Sequence, residues 1–223
     1  MNKQQFLQHS IYSTKIIDKR INIDNILMEF GDNKNNYKFT HFINKRWENI
    51  YLNINEIPSI KPLLFLSTSY AIEVFREIIK PHQTLMIPNT LLGYEKNEFW
   101  FNAASKGEST DTHNHINKAA VSGVFYLQAP QNSANLFFKE DKEEMEVKAE
   151  TNKLILFPAE LDHYVPENKS NKKRISIALI FGIKAPPNLE FNAIPKYLPF
   201  LTFTQLSKDG VAEANNIKFF SIL

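Results

Sequence analysis

A mainly β fold with flanking helices, built as a sandwich or barrel, is the class this sequence predicts. Three observations carry it. From residue 99 onward short apolar or alternating runs succeed one another between polar turns, with no helical period among them. Upstream, two segments do repeat their apolar residues at helical spacing. At 223 residues, 43% hydrophobic and 22% charged, the chain has enough material for one domain with a substantial core.

The elements follow in order. Asp24 to Phe30 reads as a short helix, with Asp24 placed to cap its start and Gly31 to end it. Ser67-Thr68-Ser69 then precedes a second helix from Tyr70 to Ile79, with Pro81 just beyond. Ile72, Phe75 and Ile79, with Val74 and Ile78 beside them, form an apolar stripe that predicts packing against a sheet rather than a cofactor site. The expected strands are Glu98–Asn102, Ala120–Gln128, Asn135–Lys139, Glu144–Val147, Leu154–Phe157 and Arg174–Ile183. Polar turns such as Pro130–Ser133 and Glu167–Asn171 separate them.

After residue 184 four prolines, Pro186, Pro187, Pro195 and Pro199, are interleaved with aromatics. This tail is expected to wrap the barrel, with Tyr197, Phe200 and Phe203 covering a pocket or filling a groove. One domain, 1–223, is therefore expected, with a mixed helix and strand elaboration (1–97), a β core (98–183) and a C-terminal wrapping segment (184–223).

Composition excludes several functions. A net charge of +2 and a pI near 8.6 are too mild to argue for nucleic acid or an anionic membrane. The one basic cluster, Lys169 to Arg174, is broken by Ser170 and Asn171, and its lysines read as a solvated turn. No cysteine is present, which removes disulfides, thiolate chemistry and purely Cys-based zinc or iron–sulfur sites. Met1 to Arg20 has no apolar core of signal-peptide length and no run of membrane-spanning length follows, so a cytoplasmic location without membrane association is expected. The apolar ending Phe219-Phe220-Ser221-Ile222-Leu223 could pack on its own barrel or on a second chain, which leaves a homodimer open.

The chemistry concentrates in three places. His113 and His115 form a His-x-His pair, which on an extended strand puts two imidazoles on one side. Asp111 would share that face, giving three possible ligands in one run. His163 lies fifty residues after His113, just past the strand Lys153–Pro158, and can close a face around one metal ion. Spacing alone would serve iron, zinc, manganese or nickel equally. Arg174 then stands at the entrance of the strand Ile175–Phe181, with Ser176 on the same face, a pairing that could hold one end of a dicarboxylate. The bland alternative for Arg174 is a surface salt bridge with Glu160 or Asp162. His9, His41 and His82 read as ordinary polar residues.

The ordered set Trp100-Phe101-Asn102, His113-Asn114-His115, Ser122-Gly123-Val124-Phe125-Tyr126-Leu127, Phe157-Pro158, His163 and Arg174-Ile175-Ser176 resembles the Fe(II)- and 2-oxoglutarate-dependent oxygenases. It looks most like a bacterial and phage group that carries a His-x-His pair. The resemblance covers Phe99 to Ile183. It implies a double-stranded β-helix (a jelly-roll, cupin-like barrel) in which His113, His115 and His163 hold Fe(II). It further implies that Arg174 and Ser176 take the far carboxylate of 2-oxoglutarate, with Tyr126 and Asn102 as further contacts. The implied reaction consumes O2 and 2-oxoglutarate, releases succinate and CO2, and oxidises a small-molecule, amino-acid or peptide substrate, most often by hydroxylation.

One departure stands out. The wider superfamily places an acid where this chain has His115, so three neutral imidazoles would leave the iron one unit more positive. Asp111 is the alternative acid, although it precedes His113 and so stands in the wrong order for the motif. Two other classes compete with the oxygenase. A cupin-like three-His dioxygenase, isomerase or lyase would share the barrel without using 2-oxoglutarate, but leaves Arg174 and Ser176 unexplained. A non-catalytic ligand-binding β-barrel, including an oxygenase fold that has lost activity, would bind no stoichiometric metal or would only sense its ligand.

Overall fold

The computed structural model describes residues 1–44, 46–78, 85–88, 99–116, 118–184, 203–207 and 210–212. The chain opens with a hairpin, β1 (Asn2–Phe6) and β2 (His9–Lys15), then helix α1 (Ile23–Asp32) and a second hairpin, β3 (Lys38–Ile43) and β4 (Arg46–Tyr51). Helix α2 (Lys61–Ile78) follows, then β5 (Leu85–Pro88) and β6 (Phe99–Ala104). The core continues with β7 (Thr110–His113), β8 (Val121–Gln128), β9 (Leu136–Glu140), β10 (Glu143–Val147), β11 (Lys153–Pro158), β12 (Asp162–Val165), β13 (Arg174–Phe181) and β14 (Ile183–Lys184). Two short strands, β15 (Phe203–Ser207) and β16 (Gly210–Ala212), complete the described residues.

Two antiparallel sheets make the jelly-roll. The larger runs β1-β2-β11-β8-β13-β6-β4-β3 and the smaller β10-β9-β12-β7. A third sheet, β14-β5-β15-β16, is formed by β5 and the strands after β13. The larger sheet separates two apolar layers by strand alternation. One face of β6, β8 and β13 (Phe99, Phe101, Phe125, Ile177 and Leu179) packs with Val74 and Phe75 of α2 and Ile26 and Phe30 of α1. The opposite face presents Trp100, Asn102, Ser122, Tyr126, Arg174 and Ser176 toward a cavity between the sheets. Gly123 allows β8 and β11 to approach closely, since a Cβ there would lie 2.7 Å from Leu156 Cδ2 and 3.3 Å from the Ile155 carbonyl oxygen.

The expected mainly β class with flanking helices holds, and the α2 stripe packs against β8 and β11 as its spacing predicts; Ile79 lies outside the described residues. The helix boundaries differ. α1 is capped by Asn22, whose side chain accepts from the Asn25 N–H, so Asp24 is a first-turn acid and Gly31 lies inside the helix. α2 begins at Lys61, nine residues before the expected start. Thr68 and Ser69 sit within it by donating their hydroxyls back to the Leu64 and Phe65 carbonyls. The hairpins β1–β2 and β3–β4 escaped the sequence reading; β1 is mostly polar, and β3–β4 exposes Phe39, Phe42 and Trp47 with no clean alternation of apolar and polar faces. Both extend the larger sheet. Tyr197, Phe200 and residues 219–223 lie outside the described residues. Among the described residues no helix is long and apolar enough to cross a membrane.

Candidate metal and 2-oxoglutarate site

β7 and β12 pair antiparallel with His113 directly opposite His163, so strand register alone brings residues fifty apart in sequence into contact. Their ring centroids lie 4.3 Å apart. His115 falls just past the end of β7, where its backbone N–H donates to the Ala159 carbonyl at 2.7 Å. This contact, rather than strand alternation, turns the His115 ring back toward the other two, 5.1 Å from His113 and 5.3 Å from His163. Ligand nitrogens of the three histidines all lie within 4.8 Å of one another.

The hydrogen bonds of the rings fix which nitrogen is available. His113 Nδ1 donates to the Asp111 carbonyl at 2.8 Å and His163 Nδ1 donates to the Leu161 carbonyl at 3.0 Å. His115 Nδ1 meets the buried Ser122 hydroxyl at 2.8 Å. In each ring Nε2 is the nitrogen left over, the arrangement that suits imidazole as a metal ligand. Burial holds all three imidazoles below the usual histidine range, His115 down to about 3 and His163 well below, with neighbouring positive charge acting in the same direction. They are therefore neutral and ready to bind a cation at neutral pH. Trp100 supports the set, its ring edge-on to His115 at 5.6 Å.

Asp111 does not join the cluster. Its carboxylate is exposed and accepts from Asn44 Nδ2 at 2.9 Å. Only its backbone carbonyl serves the site, through His113.

Beside the histidines lies an inner cavity lined by Arg174, Ser176, Tyr126 and Asn102. Ser176 pairs with Tyr126 on one neighbouring strand and with Asn102 on the other, so the three form one cross-strand row. Arg174 is 2% exposed and neither Glu160 nor Asp162 pairs with it. Among the described residues its only hydrogen bond is from Nη1 to the Ser133 carbonyl, at 2.6 Å. Among the described residues the buried Tyr126 Oη has no partner, and burial pushes its hydroxyl up to about 12, so it remains a donor. A buried guanidinium without a counter-charge and a buried phenol without an acceptor are both costly, and a ligand carboxylate would satisfy both. The donor set thus fits the acid end of a 2-oxo diacid, and three neutral imidazoles fit a divalent first-row metal.

Sequence reasoning missed three contributors. Ser122 was quoted within a motif but given no role; its place seven residues after His115 has no periodic signal. Arg46 and Glu48 were not singled out. Both are buried, and Arg46 ties β4 to the Ser109 carbonyl, Thr110 Oγ1 and Asn102 Oδ1.

Residues 98–152 and 139–179 match the family model described as "Putative 2OG-Fe(II) oxygenase". No curated protein matches the sequence. Among solved structures, the non-heme alpha ketoglutarate dependent carbocyclase SnoK from nogalamycin biosynthesis is similar with a TM-score of 0.57 at 7% identity, over 78% of this chain and 79% of that one. The epimerase SnoN from the same biosynthesis gives 0.57 at 9%, over 94% and 88%. A prolyl hydroxylase from Trichoplax adhaerens, solved with a hypoxia inducible factor peptide fragment, gives 0.56 at 11%, over 77% and 82%. At such identities these structures speak for the fold, and the family model speaks for the sequence of the core. The core, residues 98–179, is thus similar in sequence to the Fe(II)- and 2-oxoglutarate-dependent oxygenases, and these solved structures share its fold.

Proposed function

We propose that His113, His115 and His163 hold Fe(II) through their Nε2 atoms, and that the inner cavity takes 2-oxoglutarate with its far carboxylate on Arg174. Ser176 and Tyr126 complete that carboxylate's hydrogen bonds, and Asn102 borders it. The observation that carries the reading is Arg174, a buried cation with no acid beside it in the described residues. The bound iron and cosubstrate supply the oxidising power of the family, with O2 consumed and succinate and CO2 released.

The chain's own residues do the rest. The Asp111 and Leu161 carbonyls and Ser122 fix the three ring orientations. Trp100, Phe157 and Leu136 wall the inner cavity with apolar surface, which keeps water from the reacting centre and strengthens the Arg174 interaction. The substrate is a small molecule or a peptide side chain, and hydroxylation is the reaction we assign. The prolyl hydroxylase of similar fold was solved with a peptide, which supports the second substrate class without deciding it.

The experiment is anaerobic addition of Fe(II) and then 2-oxoglutarate, read by a visible charge-transfer band and by thermal stabilisation. A band that requires both additions supports the proposal. Metal binding with no response to 2-oxoglutarate would instead favour a three-His cupin-type enzyme, which the absence of an acid at His115 makes the specific competitor.

A further inference from the structure

A second cavity adjoins the inner one and shares His113, His115, Trp100, Glu48 and Asn49 with it. Its wall is apolar where Tyr51, Trp100 and Ile180 meet, the Tyr51 and Trp100 rings being 6.0 Å apart. On the β3–β4 hairpin Trp47 and Phe42, paired across the strands with ring centroids 5.1 Å apart, are exposed by 46% and 60%.

Glu48 is the polar anomaly of this cavity. It is only 7% exposed, yet its one hydrogen bond among the described residues is from Arg46 Nη2 to Oε1, at a long 3.3 Å. Arg46 spends its other donors on the Ser109 and Ala103 carbonyls, Thr110 and Asn102. A carboxylate accepts about four hydrogen bonds, so beyond its ion pair with Arg46 most of the capacity of Glu48 is not taken up by the described protein groups. Asp111, the other acid lining the cavity, is already engaged by Asn44. His41 and Lys118 line the same cavity and are exposed.

We propose that this outer cavity is the site of the substrate to be oxidised, and that it takes a molecule with an apolar, ring-bearing body and an ammonium group received by Glu48. The ammonium supplies up to three donors to the under-used carboxylate, and the ring lies against Tyr51 and Trp100. This rests on the oxygenase reading above, because it is the inner cavity's use by 2-oxoglutarate that leaves the outer one for substrate.

The two tryptophans of the chain are Trp47 and Trp100, so the W47F variant leaves Trp100 as the sole tryptophan reporter. Under anaerobic conditions, with and without Fe(II) and 2-oxoglutarate, this variant is titrated with benzylamine, benzyl alcohol and benzoate. Benzylamine is expected to change Trp100 fluorescence saturably, benzyl alcohol more weakly and benzoate least. Glu48→Gln in the same background is expected to weaken benzylamine at least about tenfold, with benzyl alcohol unchanged within about twofold. The Fe(II)/2-oxoglutarate charge-transfer band should form in that variant as in its parent. Equal binding of benzoate and benzylamine, no binding of any of the three, or an unaltered benzylamine affinity in E48Q would overturn the proposal. Absence of the band together with Glu48-dependent benzylamine binding would instead sink the 2-oxoglutarate reading and leave an amine-binding cavity.

Discussion

Replacing Arg174 with alanine tests whether it anchors the cosubstrate independently of the metal, as proposed. The guanidinium is 2% exposed and among the described residues has a single hydrogen bond, to the Ser133 carbonyl. No acid among the described residues pairs with it, so its loss breaks no ion pair there, and the variant should fold with a midpoint close to that of the parent. Burial holds the Arg174 group below its ordinary value, the sign of a desolvation cost that a ligand carboxylate would offset. The loss appears when 2-oxoglutarate binds. Truncating one partner of a buried, hydrogen-bonded charge pair costs about 2–5 kcal/mol, which is about 30-fold to 4,000-fold in Kd at about 1.4 kcal/mol per decade. The assay is an anaerobic titration of the charge-transfer band with 2-oxoglutarate, beside a separate Fe(II) titration. Iron affinity should stay within about threefold, since Arg174 touches none of the three histidines' hydrogen-bond partners. Parallel loss of iron and 2-oxoglutarate, or an unchanged 2-oxoglutarate Kd, would refute the role given to Arg174.

Four further outcomes follow from the same geometry. His163→Ala removes the ligand that strand pairing sets opposite His113, and stoichiometric iron by metal analysis should fall to background. Ser122→Ala leaves His115 Nδ1 unheld and should weaken iron about 10–100-fold without unfolding the protein, measured by competition with a chelator. Tyr126→Phe deletes a buried hydroxyl that has no partner among the described residues, so the ligand-free protein should gain stability in a denaturant melt. The same variant should bind 2-oxoglutarate about 2–10-fold more weakly, the worth of one hydrogen bond. The metal-free protein should lose stability as pH falls from about 6.5, the ordinary histidine value, toward the depressed value of about 3 for His115. In that window the unfolded chain binds protons that the folded one refuses, so stability rises with pH there and is insensitive to these groups above it. A denaturation midpoint that climbs as pH falls through 6 would contradict the burial of the triad.

Much of the core was legible because its signals are local. The strands from Phe99 to Phe181 alternate or run apolar, and the structure matches them within a residue or two at most ends. Arg174 and Ser176 share a face because β13 is regular, and alternation is enough to see it. The His-x-His pair was readable as a cluster, but not by the mechanism that strand alternation supplied. β7 ends at His113, and the Ala159 carbonyl, 44 residues away in sequence, sets His115. That His115 rather than Asp111 lies with His113 and His163 was not legible either, since the Asp111 carboxylate is engaged by a distant partner, Asn44. Glu48 and Arg46 had no periodic or motif signal. Their burial depends on β4 docking beside β6, a long-range pairing that no local window contains.

The central claim is that three imidazoles and no carboxylate hold the iron. A crystal structure of the protein grown anaerobically with Fe(II) and 2-oxoglutarate, with anomalous data collected across the iron edge, tests it most directly. The account predicts one iron peak bonded to Nε2 of His113, His115 and His163, with the diacid running from the metal to Arg174. An iron peak bonded to the Asp111 carboxylate, or a 2-oxoglutarate that leaves Arg174 bare, would contradict it.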